Sequence, residues 1–161
     1  MTDNSRLIYL HGLESTSQSG KARQFAAKFP GMLTPDFTGS FEERMARLYP
    51  ILGDQTGWTL IGSSFGGLMA AVFTLEYMTQ VRKLVLLAPA LMIPPFATLA
   101  DRKTVSVPTV IVHGTEDDVV PLEPVRKLAE KVFTNLTYYV MQDGHRLQKA
   151  FEELDWVTII A

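Results

Sequence analysis

The chain contains no cysteine. That absence removes disulfides, thiolate nucleophiles, iron–sulfur clusters and cysteine-based zinc sites. It also suits a reducing compartment. Histidine is scarce. His11, His113 and His145 are the only three, and their scatter offers no metal-ligand spacing. An excess of either charge is missing too. The 15 Lys and Arg stand against 17 Asp and Glu, a net charge of −2. Nothing here forms a basic footprint for nucleic acid or an anionic membrane. The longest uncharged, mostly apolar run, Leu84 to Ala100, is interrupted by Pro89, Pro94 and Pro95. It falls short of the ~20 residues that span a bilayer. The opening residues, Met1-Thr2-Asp3-Asn4-Ser5-Arg6, are polar and carry an acid, unlike a secretory signal. The expectation is a cytoplasmic protein with no membrane span, no nucleic-acid partner and no metal.

What remains is an ordinary globular chain of 161 residues, the length of one domain, residues 1–161. Short apolar or β-branched runs mark strands at Leu7–Leu10, Trp58–Ile61, Leu84–Leu87, Thr109–Val112 and Leu136–Val140, with a shorter one at Met32–Pro35. Continuous apolar runs suit strands covered on both faces. Helix-period segments lie between them. Ser40 with Glu43 forms a capping box ahead of Met45, Leu48 and Leu52, and Pro50 predicts an early end or a kink. Gly67–Met78 reads as a buried helix. Leu122–Val132 carries Val125, Leu128, Ala129 and Val132 on one face, and Leu147, Ala150, Phe151 and Leu154 repeat the pattern. Alternating strands and helices predict an α/β protein with a doubly wound, mostly parallel six-stranded sheet. In such sheets the chemistry sits beyond the carboxyl ends of the strands.

Four motifs fall there. Gly62-Ser63-Ser64-Phe65-Gly66 matches G-x-S-x-G, directly after a strand and before a helix. A tight strand-to-helix turn projects the central serine, Ser64, while the glycines leave room for backbone passing close by. His113-Gly114-Thr115-Glu116-Asp117-Asp118 follows another strand. An acid in this loop can orient an imidazole and stabilise its charged form. Asp117 has the expected position, with Asp118 and Glu116 as rivals. Asp143-Gly144-His145 follows the last strand. A serine hydroxyl needs a base, and His145 is the histidine placed to serve. His11 and His113 read as structural or site-shaping. Finally, Leu10-His11-Gly12-Leu13 follows the first strand. Acyl transfer develops an oxyanion that needs waiting N–H donors. The residue after the nucleophile, Phe65, supplies one, and Leu13 is assigned the other. The chain order serine, acid, histidine is that of one fold family among several that use this constellation.

Together these residues resemble the α/β-hydrolase superfamily. The stretch Ile8-Tyr9-Leu10-His11-Gly12-Leu13, followed by Ser15, Ser19, Lys21 and Ala22, is similar to the small, lidless YqiA-like bacterial esterases, as is Gly62-Ser63-Ser64-Phe65-Gly66-Gly67. The resemblance implies a minimal α/β-hydrolase fold without a cap domain. It implies a serine hydrolase with Ser64 as nucleophile, Asp117 as acid and His145 as base, and no cofactor. The segment Ala88–Val107 is too short for a cap.

The expected activity is cleavage of small carboxylic ester or thioester substrates through an acyl-enzyme on Ser64. Alcohol, thiol and amine all remain open as leaving groups. His11, Gly12, Leu91 and Met92 are candidate pocket residues, although Leu91–Phe96 reads equally well as core. The rival from another class is a non-catalytic hydrolase-fold protein that binds a small ligand or a protein partner. A binding module has no need of the serine, acid, histidine and oxyanion glycine together.

Overall fold

The computed structural model describes residues 3–161. Five strands run in sequence order across one sheet: β1 (Leu7–Leu10), β2 (Trp58–Ser63), β3 (Val81–Leu87), β4 (Thr109–Gly114) and β5 (Leu136–Met141). Every neighbouring pair is parallel.

Side-chain alternation along these strands separates two cores. Ile8, Leu10, Leu60, Leu84, Leu86 and Ile111 point to one face. There they meet α2 (Phe41–Leu52), α3 (Phe65–Glu76) and α5 (Leu122–Val132) through Leu48, Leu68, Val125 and their neighbours. Leu7, Tyr9, Ile61, Val85, Leu87, Val110 and Val112 point to the other. That face is covered by α1 (Gly20–Lys28), α6 (Gln148–Glu153) and α7 (Trp156–Ile160). Phe25 of α1 is fully buried there. Its ring centroid lies 5.0 Å from Phe151 and 5.4 Å from Trp156, both edge-on. Burying such a ring contributes about 2–3 kcal/mol. Helices on both faces make the sheet doubly wound, as expected.

The expected sixth strand does not form. Leu33 makes one parallel bridge to Ile8, with Leu33 N–H donating to Leu7 at 2.9 Å and Tyr9 N–H donating to Leu33 at 2.9 Å. The next rung would need an N–H from residue 35, which is proline and has none. Element boundaries also differ, β3 for example starting at Val81 and not at Leu84. Pro50 does not end α2 early, because its fully buried Leu48 and Leu52 hold the last turn until Gly53 caps it at φ 59°. α3 starts at Phe65, two residues before the predicted Gly67. α7, too short to show a period, is held by its Asp155 cap and by Trp156 Nε1 donating to Phe151 at 2.9 Å. A four-residue helix, α4 (Phe96–Leu99), fills the segment before β4.

The strand register lines up one end of the sheet. Leu10 pairs with Gly62, Ser63 with Leu87, Leu87 with Val112 and Gly114 with Met141. The loops carrying Gly12, Ser64, Asp117 and His145 therefore leave the sheet side by side. No described helix is long and apolar enough to cross a membrane.

Candidate active site

Ser64 occupies the turn between β2 and α3 at φ 55°, ψ −114°. A serine pays for this left-handed backbone, and the surroundings must hold it there. They do. Ser64 N–H donates to Leu87 at 2.9 Å, and the Ser64 carbonyl accepts from Ala90 at 3.0 Å. The flanking glycines are required by close approach. A Cβ on Gly62 would run into the Gly66 carbonyl, and one on Gly66 into the carbonyls of Leu10 and His11.

His145 reaches this serine from the loop after β5. Its Nε2 lies 3.2 Å from Ser64 Oγ, and its Nδ1 lies 2.8 Å from Asp117 Oδ2. The tautomer follows from the partners. A carboxylate only accepts, so Nδ1 carries the proton and Nε2 is free to accept from the serine hydroxyl. Asp117 is held equally firmly. Its Oδ1 accepts from the N–H groups of Val119 at 2.9 Å and Val120 at 2.8 Å. Burial works to raise its pKa, but the bonds from Val120, His145 and Val119 outweigh it and hold the carboxyl below its ordinary value. Asp118 and Glu116 are both exposed, so of the three acids only Asp117 meets a histidine.

The other two histidines have both ring nitrogens engaged. His11, 1% exposed, donates from Nδ1 to Gly12 at 2.7 Å and accepts at Nε2 from Phe37 N–H at 2.9 Å. It ties the loop after β1 to the chain beyond the lone Leu33 bridge. His113 is fully buried. Its Nε2 donates to the Val120 carbonyl at 3.0 Å and lies 3.3 Å from Asp117 Oδ2, while Tyr138 donates to its Nδ1 at 3.1 Å. Burial lowers its pKa, against the pull of the Val120 carbonyl and Asp117. His113 therefore lies neutral under the acid and fixes its loop.

Gly12 lies beside the serine; a Cβ there would be 3.6 Å from Ser64 Cβ. Leu13, next in the chain, is 55% exposed. Phe65 opens α3, so its N–H belongs to the first turn, where no carbonyl lies one turn back to accept it. Leu91 is fully buried in the core of the α2–α3 face, whereas Met92 is 46% exposed.

Two residues that the sequence reading named without a role, Asp143 and Lys21, lie beside the site. Asp143 accepts from Gly144 N–H at 2.9 Å and from Ala150 N–H at 2.8 Å, while its carbonyl accepts from Glu116 N–H at 3.0 Å. It thereby joins the His145 loop to α6 and to the acid loop. An aspartate two residues before the histidine was the available signal. Lys21, in the first turn of α1, is partly buried near these acids. Burial lowers its pKa to about 8, with Asp143 raising it, Arg146 lowering it and Asp117 raising it. Among the described residues no group of three or more His, Asp or Glu could hold a metal ion.

A family model described as serine hydrolase (FSH1) matches residues 36–150. The chain belongs to this serine hydrolase family. The match takes in Ser64, Asp117 and His145 but leaves out β1 and the loop of His11–Leu13. No curated protein matches the chain. Among solved structures, this FSH1-family chain is similar to an alpha-beta serine hydrolase homologue from Coxiella burnetii. That similarity has TM-score 0.75 and 20% identity, covering 98% of this chain and 85% of the other. It is also similar to Est1E from Butyrivibrio proteoclasticus (TM-score 0.74, 17% identity, 91% and 82% covered). A third is an esterase from Pyrococcus furiosus (TM-score 0.71, 17% identity, 97% and 80% covered). The family hydrolase thus shares the α/β-hydrolase fold.

Proposed function

We propose that this serine hydrolase cleaves small carboxylic ester or thioester substrates through an acyl-enzyme on Ser64. One observation carries the reading: an unbroken hydrogen-bonded series from Ser64 Oγ to His145 to Asp117, begun on a serine at positive φ. Ser64 Oγ attacks the carbonyl carbon as its proton passes to His145 Nε2. Asp117 stabilises the resulting imidazolium. The N–H groups of Leu13 and Phe65 receive the oxyanion. Collapse of the tetrahedral intermediate breaks the bond to the leaving group, which takes the proton from His145. Water then attacks the acyl-enzyme, giving its proton to His145, and the acid departs with Ser64 restored.

Leu13, Met92, Ile93 and Val119 are among the few large apolar side chains at the surface. They stand on the loops that follow β1, β3 and β4, the same loops that surround Ser64. An apolar rim without a cap suits a short acyl group held in an open site. The three named neighbours, two of them called esterases or hydrolase homologues, share this fold.

The test is a fluorophosphonate probe read by intact mass, beside Ser64→Ala. One adduct on the wild type and none on the variant is the expected result. A folded wild type that takes no adduct would overturn the reading and favour a non-catalytic ligand-binding protein.

A further inference from the structure

Arg44 is a buried charge for which the mechanism above has no use. It sits in the first turn of α2 and is 4% exposed. Among the described residues no carboxylate comes within ion-pair distance of it. Its Nε donates to the Gly39 carbonyl at 3.0 Å, and its Nη1 has no partner. A buried, unpaired cation is costly to a fold. Arginine cannot escape that cost by losing its proton.

Besides the Gly39 carbonyl, the guanidinium meets an aromatic ring. Its central carbon lies 5.3 Å from the centre of the Phe65 ring. Phe41, also in the first turn of α2, meets the same ring edge-on at 6.1 Å. Phe65 follows Ser64 and opens α3. The first turn of α2 therefore contacts, through Arg44 and Phe41, the residue whose N–H faces the reacting carbonyl in the reading above.

We propose that Arg44 is a positioning residue for the oxyanion site. With Phe41 it fixes Phe65, and its uncompensated charge holds a positive potential behind the Phe65 N–H. The negative charge it favours exists in the tetrahedral transition state and not in the bound ester. The benefit therefore falls on the chemical step and leaves ground-state binding alone. A unit charge acting over about 10 Å at an effective dielectric of about 20 is worth on the order of tenfold in rate. Nη1 is buried without a partner, and a direct ionic contact with a substrate anion is the alternative that the anionic ester tests.

This rests on the serine-hydrolase reading, and the experiment separates the two. Arg44→Met, Arg44→Gln and Arg44→Lys are compared with the wild type on a neutral ester, 4-nitrophenyl acetate, and on an anionic one, mono-4-nitrophenyl glutarate. Competent sites are counted with the fluorophosphonate probe. For Arg44→Met the expected result is a kcat lower by about tenfold on both esters, with KM within about twofold. Arg44→Lys, which keeps the charge, should stay within about threefold of the wild type. An unchanged kcat in folded Arg44→Met overturns the proposal. So does a loss confined to KM for the glutarate, which would make Arg44 a receptor for substrate anions. A Lys variant as slow as the Met variant removes charge as the cause and also overturns it. If neither the Met nor the Gln variant folds, Arg44 is a folding residue and the proposal fails. A wild type that takes no probe sinks the serine reading itself; a labelled wild type beside an unimpaired Arg44→Met sinks this inference alone.

Discussion

Asp117→Asn replaces one carboxylate oxygen by an NH2 group, and the hydrogen bonds decide which one. Oδ1 accepts from two backbone N–H groups, while Oδ2 faces His145 Nδ1 and His113 Nε2. Turning the new NH2 toward Val119 and Val120 would set donors against donors and forfeit both bonds. The amide oxygen therefore stays there, and the NH2 meets His145 Nδ1. A donor at that point selects the other tautomer, with the proton on Nε2. That nitrogen then cannot accept from Ser64. The expected fall in kcat is on the order of 10³- to 10⁴-fold, about 4–5 kcal/mol of barrier. Asp118→Asn, exposed and unbonded, should stay within about twofold. Stability supplies an independent readout. The folded-state pKa of Asp117 lies below the ordinary carboxylate value. Its ionised form therefore stabilises the fold above about pH 4, and that contribution is lost as pH falls through the folded pKa. Asp117→Asn should be less stable than the wild type at pH 7, with the gap closing below about pH 4. Initial rates on a 4-nitrophenyl ester and urea unfolding across pH measure both. An Asn variant with more than about a tenth of wild-type kcat would refute the argument; so would an equal loss in Asp118→Asn.

Two further expectations concern stability. In Gly66→Ala the new Cβ meets the backbone carbonyls of Leu10 and His11, which no rotamer change can move aside. The loss should reach about 3 kcal/mol, a fall of roughly 6–12 °C in melting temperature; a melt within about 2 °C of the wild type would contradict it. Lys21→Met should stabilise the protein. The Lys21 pKa of about 8 lies well below its free value, so the folded state pays for a buried ammonium at neutral pH. Between pH 8 and about 10.4 the unfolded chain binds more protons, and wild-type stability rises with pH in that window. The advantage of Met should approach about 3 kcal/mol at pH 7 and fade above pH 8. Urea melts in which the variant is weaker at pH 7 would reject this reading.

Much of this protein is decided locally. Continuous apolar runs bounded by polar turns place five strands, because strands packed under helices are mostly apolar, with Thr59, Thr109 and His113 as buried polar members. The G-x-S-x-G turn and the histidine near the end of the chain stand out for the same kind of reason: a strand-to-helix turn with small flanking residues leaves a direct mark in sequence. What depends on distant partners does not. Met32–Pro35 has strand character, yet Pro35 lacks the N–H that a second rung to β1 demands. Loop position favours Asp117 over Glu116 and Asp118, which are chemically alike, but the contact with His145 from 28 residues away exists only in the folded chain. Nothing near Arg44 in sequence signals that it lies unpaired against the residue that follows Ser64, since that contact exists only once α2 packs on α3. Residue pattern sets which segments become strands and helices, because it acts through neighbours along the chain. Which charges meet, and which are left unmet, is set by packing between segments far apart in sequence.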